Sequence, residues 1–320
     1  MPADFDPTIQ SEEIGFRSEE LIACGRCDRQ NPPNRLECMY CGAALDVRPE
    51  AVDKLTIRKL EPWEPGTSLV ITSREGDTAA GAGLLSLDRD QFEDIINAGV
   101  PLPVAWVEDK SSVVVAAKLQ DVGFACASIP DSELSLARPP IRVAGMDIGD
   151  DELVLIDLNT RDIYRHAWGD LILVLQGVFS TGKIDTMEKR RLRKTTVMSE
   201  TTTSTDEPVF DLYTSDETTG YRVQLSGFDY SCLGDGMGPL AVGNMERLID
   251  MLRSRAAQLK VVDDYKRIRH LLTGIWDIES RKDPKGLQQV GFAKREFGMV
   301  HSTSNVEQFT RFSRLQRVML

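Results

Sequence analysis

The chain has 320 residues, 41% hydrophobic and 28% charged, with a formal net charge of −12. This composition excludes an intrinsically disordered chain, and the length predicts two or three domains rather than one core. The acidity argues against a general affinity for phosphate backbones or anionic headgroups, which would need a local basic patch. No run approaches the ~20 apolar residues of a transmembrane helix.

Residues 1–20 are polar and acidic and read as a flexible tail. They lack the basic start and apolar run of a secretory signal, so the expected location is the cytoplasm. Six cysteines agree with a reducing compartment. Four stand in two close pairs, whereas Cys126 and Cys232 are isolated, a metal-like distribution rather than a disulfide scaffold.

Residues 21–48 contain the strongest motif, Cys24-x2-Cys27-x10-Cys38-x2-Cys41. Each CxxC turn presents two thiolates to one tetrahedral Zn2+, and the ten intervening residues carry the chain round to the second turn. Four thiolates leave no open coordination position, so the zinc is expected to be structural rather than catalytic. A redox dithiol would need only one such pair. The segment CGRCDRQNPPNRLECMYCGAAL resembles the bacterial short zinc-ribbon family, whose usual form is CxxCGxxNPxxAxFCxxCGxxL. Cys24, Cys27, Asn31, Pro32, Cys38, Cys41, Gly42 and Leu45 match it, while Asp28 replaces a glycine and Glu37 an aromatic. The resemblance implies a metal and a local fold but no activity. The spacing is also similar to the Ran-binding type of zinc finger, some members of which bind single-stranded RNA. The tryptophan they use for stacking is Pro32 here, and only Arg35 remains of their arginine pair.

Residues 49–66 read as a linker that ends in EPWEPG, where the prolines and Gly66 oppose a continuing helix. From 67 to 138 the texture is that of a small α/β domain. Strands are expected at Ser68–Ser73, Pro103–Glu108 and Phe124–Ile129, and helices at Leu87–Gly99 and Lys110–Val122.

Residues 139–260 are β-rich, with six apolar strand patterns and a closing helix from about Pro239 to Gln258. Several antiparallel strands followed by one helix resemble the layout of a pleckstrin-homology-like barrel. Ser180–Glu207 reads as a polar insertion, a mobile loop containing the basic run Lys189–Lys194 and a Thr/Ser-rich stretch. If the domain is of that type, the basic loop would suit a phosphorylated headgroup or an acidic peptide; otherwise it is a solvated loop. Gly234, Gly236 and Gly238 are spaced GxGxG, not GxGxxG, and fit a strand-to-helix turn better than a phosphate loop. Residues 261–320 read as a C-terminal helical segment, with helices at Tyr265–Trp276 and Val306–Val318. Phe309, Phe312 and Leu315 form an apolar stripe beside Arg311, Arg314 and Arg317, which suits either the domain's own core or a docking helix.

The sequence thus predicts a multidomain α+β protein: an N-terminal zinc ribbon, a small α/β sandwich and a β-rich domain. Its expected function is that of a non-enzymatic, zinc-ribbon-containing adaptor acting through protein–protein contacts. The alternatives are nucleic-acid binding through the ribbon, and an enzyme of unrecognised family with a site near His166, Asp229 and Cys232.

Overall fold

The long strands of the molecule have two halves of opposite character. The structure, a computed structural model, describes residues 21–33, 35–46, 57–191, 194–216, 218–291 and 294–320, with backbone only at 188–191, 194–198, 288–291 and 294–296. The tail at 1–20, part of the linker at 49–56 and Arg193 of the basic run lie outside the described residues.

A two-stranded antiparallel ribbon comes first, β1 (Ile22–Ala23) with β2 (Gln30–Asn31). The described part of the linker, 57–66, is docked rather than free. Leu60 is buried, Arg58 pairs with Glu37 and Glu64, and Lys59 pairs with Asp277.

Next come β3 (Thr67–Ile71), α1 (Thr78–Leu85), α2 (Arg89–Ile96), β4 (Pro103–Val107), α3 (Asp109–Asp121) and β5 (Cys126–Pro130). The three strands lie in the order β4-β3-β5, with both pairings antiparallel. Each expected strand and helix in this region is present, and α1 is an additional helix. Its sequence, TAAGAGLL, has no polar face to reveal a 3.6-residue period. Asp77 caps it by accepting from the N–H groups of Ala79 and Ala80. Gly81 permits a close approach, since a Cβ there would meet Phe92 and Phe124 at 2.8 and 2.9 Å.

The remaining strands build a nine-stranded sheet. They are β6 (Ile141–Ile148), β7 (Glu152–Asp157), β8 (Ile163–Ala167), β9 (Leu171–Arg191), β10 (Lys194–Thr214), β11 (Tyr221–Gln224), then α4 (Ala241–Arg255), β12 (Lys260–Val262), α5 (Tyr265–Ile268), β13 (Glu279–Gly291), β14 (Lys294–Ser304) and α6 (Val306–Val318). The path through the sheet is β13-β14-β9-β10-β11-β6-β7-β8, and β12 adds to β9 in parallel. The closing helix α4 buries Met245, Leu248, Ile249 and Leu252, as its apolar stripe requires.

Two expectations are corrected here. Ser180–Glu207 is not a loop: β9 and β10 run on through it as paired 21-residue strands. The Thr-rich stretch that suggested disorder by polarity is rich in β-branched side chains, which suit a pleated ladder even without a core. Residues 261–320 are likewise not wholly helical, because β13 and β14 form a hairpin that joins β9. The inner halves of β9 and β10 (Leu173, Val174, Leu175, Val209, Phe210, Leu212) are buried, whereas their outer halves project as an arm.

One contiguous apolar cluster runs from the ribbon (Cys24, Leu36, Cys38, Leu45) through the three-stranded sheet to β9, α5 and α6. A second lies between the β6–β11 strands and α4. Helix α6 belongs to the first cluster. Phe309, Phe312 and Leu315 are fully buried, so the apolar stripe completes the core of the chain itself. Gly177 of β9 makes room for it, since a Cβ there would lie 2.1 Å from the Phe309 ring. The arginines between these residues, Arg311 and Arg314, are buried too. Arg314 donates to the carbonyls of Leu134, Ser135, Arg138 and Thr219. Arg311 pairs with Asp131 at 2.8 Å and lies 4.6 Å above the Trp106 ring.

Candidate metal centre

The ribbon folds because two similar turns face each other. In each CxxC turn a backbone N–H points at the first thiol: Arg26 to Cys24 Sγ and Tyr40 to Cys38 Sγ, both 3.4 Å. The turns close with Asp28 N–H donating to the Cys24 carbonyl and Gly42 N–H to the Cys38 carbonyl. A left-handed residue must follow each turn, and Gly42 (φ 67°) and Asp28 (φ 55°) take that role. Asp28, where the short zinc-ribbon pattern has a glycine, therefore keeps the turn, since a short polar side chain tolerates this conformation. Asn31, fully buried, ties the halves together: it donates to the Arg29 carbonyl and accepts from Met39 N–H, both at 2.8 Å.

All four thiols converge. The Sγ atoms of Cys24, Cys27, Cys38 and Cys41 lie within 4.8 Å of one another, with Cys24–Cys41 and Cys27–Cys38 each at 3.6 Å. A disulfide would need about 2.05 Å. Tetrahedral bonds of about 2.3 Å to one zinc ion place sulfurs roughly 3.8 Å apart, so the cluster has the size a bound metal requires. Burial opposes ionisation of Cys38, but the N–H groups of Tyr40 and Cys41, with Cys27 and Asn31, hold its pKa at about 6. Cys27 is lowered by Arg29 N–H, yet burial and the three other thiols push it up to about 12. Such a set cannot carry four charges unaided, and a divalent cation resolves the repulsion. The donor set, four thiols within one tetrahedron's reach, can hold one metal ion.

Backbone strain in the second turn is directly testable. Nothing stands within 4 Å of a Cβ built on Gly42, so Gly42→Ala changes only the left-handed conformation. It is expected to cost about 1 kcal/mol, visible as a five- to tenfold loss in a chelator competition. Asp28→Gly is expected to cost nothing. Equal losses in both variants would refute this account.

The docked ribbon leaves a cleft of about 580 Å³ against the body, lined by Leu36, Tyr40, Arg58, Val107, Glu108 and Ser111 among others. Burial, then the nearby Glu37 carboxylate, pushes the Glu108 carboxyl above its ordinary value. Met39 and Tyr40, on the second turn, are 54% and 55% exposed, with the Arg29 guanidinium 4.8 Å from the Tyr40 ring. Sequence reasoning did not single these two out, because the variable positions of a CxxC motif carry no periodic signal.

His166 hydrogen-bonds the Tyr221 hydroxyl at 2.9 Å, and Asp229 caps its own turn through Ser231 N–H. Burial, with Asp229 beside it, pushes the Cys232 thiol up to about 11, the opposite of what a nucleophile needs. Cys126 is raised by burial to about 11. Asn244 holds both the N–H and the carbonyl of Gly238, so the GxGxG stretch is pinned as a strand-to-helix turn. The backbone of Lys189–Arg191 lies in β9 and that of Lys194 in β10.

Comparison of the chain with protein-family models, curated protein sequences and solved structures finds no match. Among the described residues no helix is long and apolar enough to cross a membrane.

Proposed function

We propose that this chain is a non-enzymatic adaptor of a bacterial cytoplasm whose N-terminal segment is a structural zinc ribbon that docks on another protein. The observation that carries the reading is the exposed Met39–Tyr40 pair on a turn whose cysteines all face inward. Four thiolates close the metal's coordination, so the metal shapes a surface instead of presenting a reactive position. Large apolar side chains held rigidly at a surface are what an interface core uses. Zinc is the preferred ion for four thiolates at tetrahedral spacing, and six free cysteines agree with a reducing compartment. The order β6 to β11 followed by α4 supports reading the β-rich region as a pleckstrin-homology-like unit.

The test separates surface from metal. Tagged full-length protein and a Met39→Asp/Tyr40→Asp variant would be assayed for zinc content and for retained proteins from native lysate. The expected result is equal zinc in both and one stoichiometric protein retained only by the unaltered chain. Equal zinc with identical retained proteins would refute docking through this turn.

A further inference from the structure

The two hairpins end at the same place. β9 and β10 pair as far as Arg191↔Lys194, and β13 and β14 as far as Gly291↔Lys294. β14 runs antiparallel to β9 from Ser304↔Thr181 out to Phe297↔Glu188. Beyond that last pair the described residues of the strands are Lys189, Arg190, Arg191, Lys194, Lys294 and Arg295 against a single acid, Glu296, with Thr, Gln, Val and Gly between. The two basic groups are about a hundred residues apart in sequence, and only the strand register brings them to one end.

The arm leaves the body at Ser180, whose N–H donates to Asn305 Oδ1, and extends to Arg191. At about 3.3 Å per residue it reaches roughly 35 Å. A Debye length of about 8 Å at physiological salt therefore screens the tip from the acidic body. Nearer the body the arm's charges answer each other: Asp185 with Lys183 and Lys285, and Arg281 with Asp283. Leu287, level with Phe297 in the register, is 67% exposed.

We propose that the tip of this four-stranded arm binds an anionic phospholipid surface. A blunt end with six basic residues and an exposed leucine beside them suits a flat layer of headgroups over an apolar interior. Nucleic acid fits less well, because the exposed Leu287 beside the basic residues would find no apolar partner on a phosphate backbone. The proposal is independent of the ribbon and its metal.

The experiment is flotation of the full chain with vesicles of pure phosphatidylcholine or of phosphatidylcholine mixed with phosphatidylserine. Binding is expected only to the mixed vesicles and is expected to fall with added salt. Arg190→Gln with Lys294→Gln should weaken it roughly thirtyfold, the factor for two basic residues at about 1 kcal/mol each. The same variant should melt as the unaltered protein does, because the tip lies outside both buried clusters. No binding to mixed vesicles, or equal binding by the variant, overturns the proposal. So does salt-sensitive binding to RNA with the vesicles left untouched, which would assign the tip to nucleic acid.

Discussion

Changing Cys38 to serine is expected to abolish stoichiometric metal binding and to unfold residues 21–46 while the body of the protein stays folded. Among the described residues the ribbon's own buried apolar side chains are Pro33, Leu36 and Leu45 beside the cysteines, too little to offset the entropy of ordering the segment. Metal sites of this kind contribute apparent binding free energies of about 10–16 kcal/mol, so losing one ligand removes most of what holds the two turns together. Elemental analysis would read the metal, and hydrogen exchange would report protection at Asn31, Met39 and Leu45 against protection in β9 and α6. Retention of metal and of ribbon protection in the variant would sink the assignment. Acid should act in the same direction. The Cys38 pKa is depressed from 9.0 to about 6, so its contribution as a thiolate is full above the ordinary thiol value, declines through neutral pH and is lost as the pH falls through about 6. Cys27, pushed up to about 12 in the metal-free cluster, must give up its proton when the metal binds. Metal uptake at neutral pH should therefore release protons, measurable in a weakly buffered titration.

The second large effect lies in the core of the long sheet. Arg222, on β11, reaches Asp211 on β10 through two bonds of 2.7 and 2.8 Å, and both residues are buried. Burial opposes the Arg222 charge, but Asp211 outweighs it and holds the guanidinium's pKa above its ordinary value. The pair ties the sheet to α6: Ser313 donates to Asp211 Oδ2 at 2.7 Å and Arg222 to Thr310 at 3.1 Å. The Arg222 guanidinium also lies 5.1 and 5.3 Å from the Phe179 and Phe309 rings. Asp211→Ala strands a buried cation and is expected to destabilise the protein by about 3–5 kcal/mol in urea unfolding. Replacing both partners, as Asp211→Leu with Arg222→Met, should cost much less, since no charge is then left unpaired. A single variant costing under about 1 kcal/mol, or a double variant worse than the single, would contradict this account.

The pair also shows where reading by periodicity failed. Arg222 lies in YRVQ, where alternation puts it opposite Tyr221 and Val223 and so on the polar face of a strand. In the structure that face is covered by α6, which brings its own hydroxyls, Ser313 and Thr310, to meet the charge. The same helix carries Arg311 and Arg314, which are buried against Asp131 and against carbonyls of the 134–138 and 219 loops. None of these partners is local, so no window of sequence contains the information. The arm is similar. Its strands read as loop because nothing in 180–207 alternates toward a core; β9 and β10 pair with each other, and the second ladder on β9 comes from β14, about a hundred residues later.

What the sequence determined by itself is what short-range geometry controls. Two CxxC turns fix their ligands within four residues each, so Cys24, Cys27, Cys38 and Cys41 were legible without any fold. The 67–130 elements other than α1, and α4, were legible because amphipathic spacing acts over one or two turns. Only the tertiary structure decided that the ribbon is docked, that α6 buries its arginines, and that two basic hairpin ends meet. Each of those depends on pairing between segments separated by tens to hundreds of residues, where register and burial, not local preference, set the outcome.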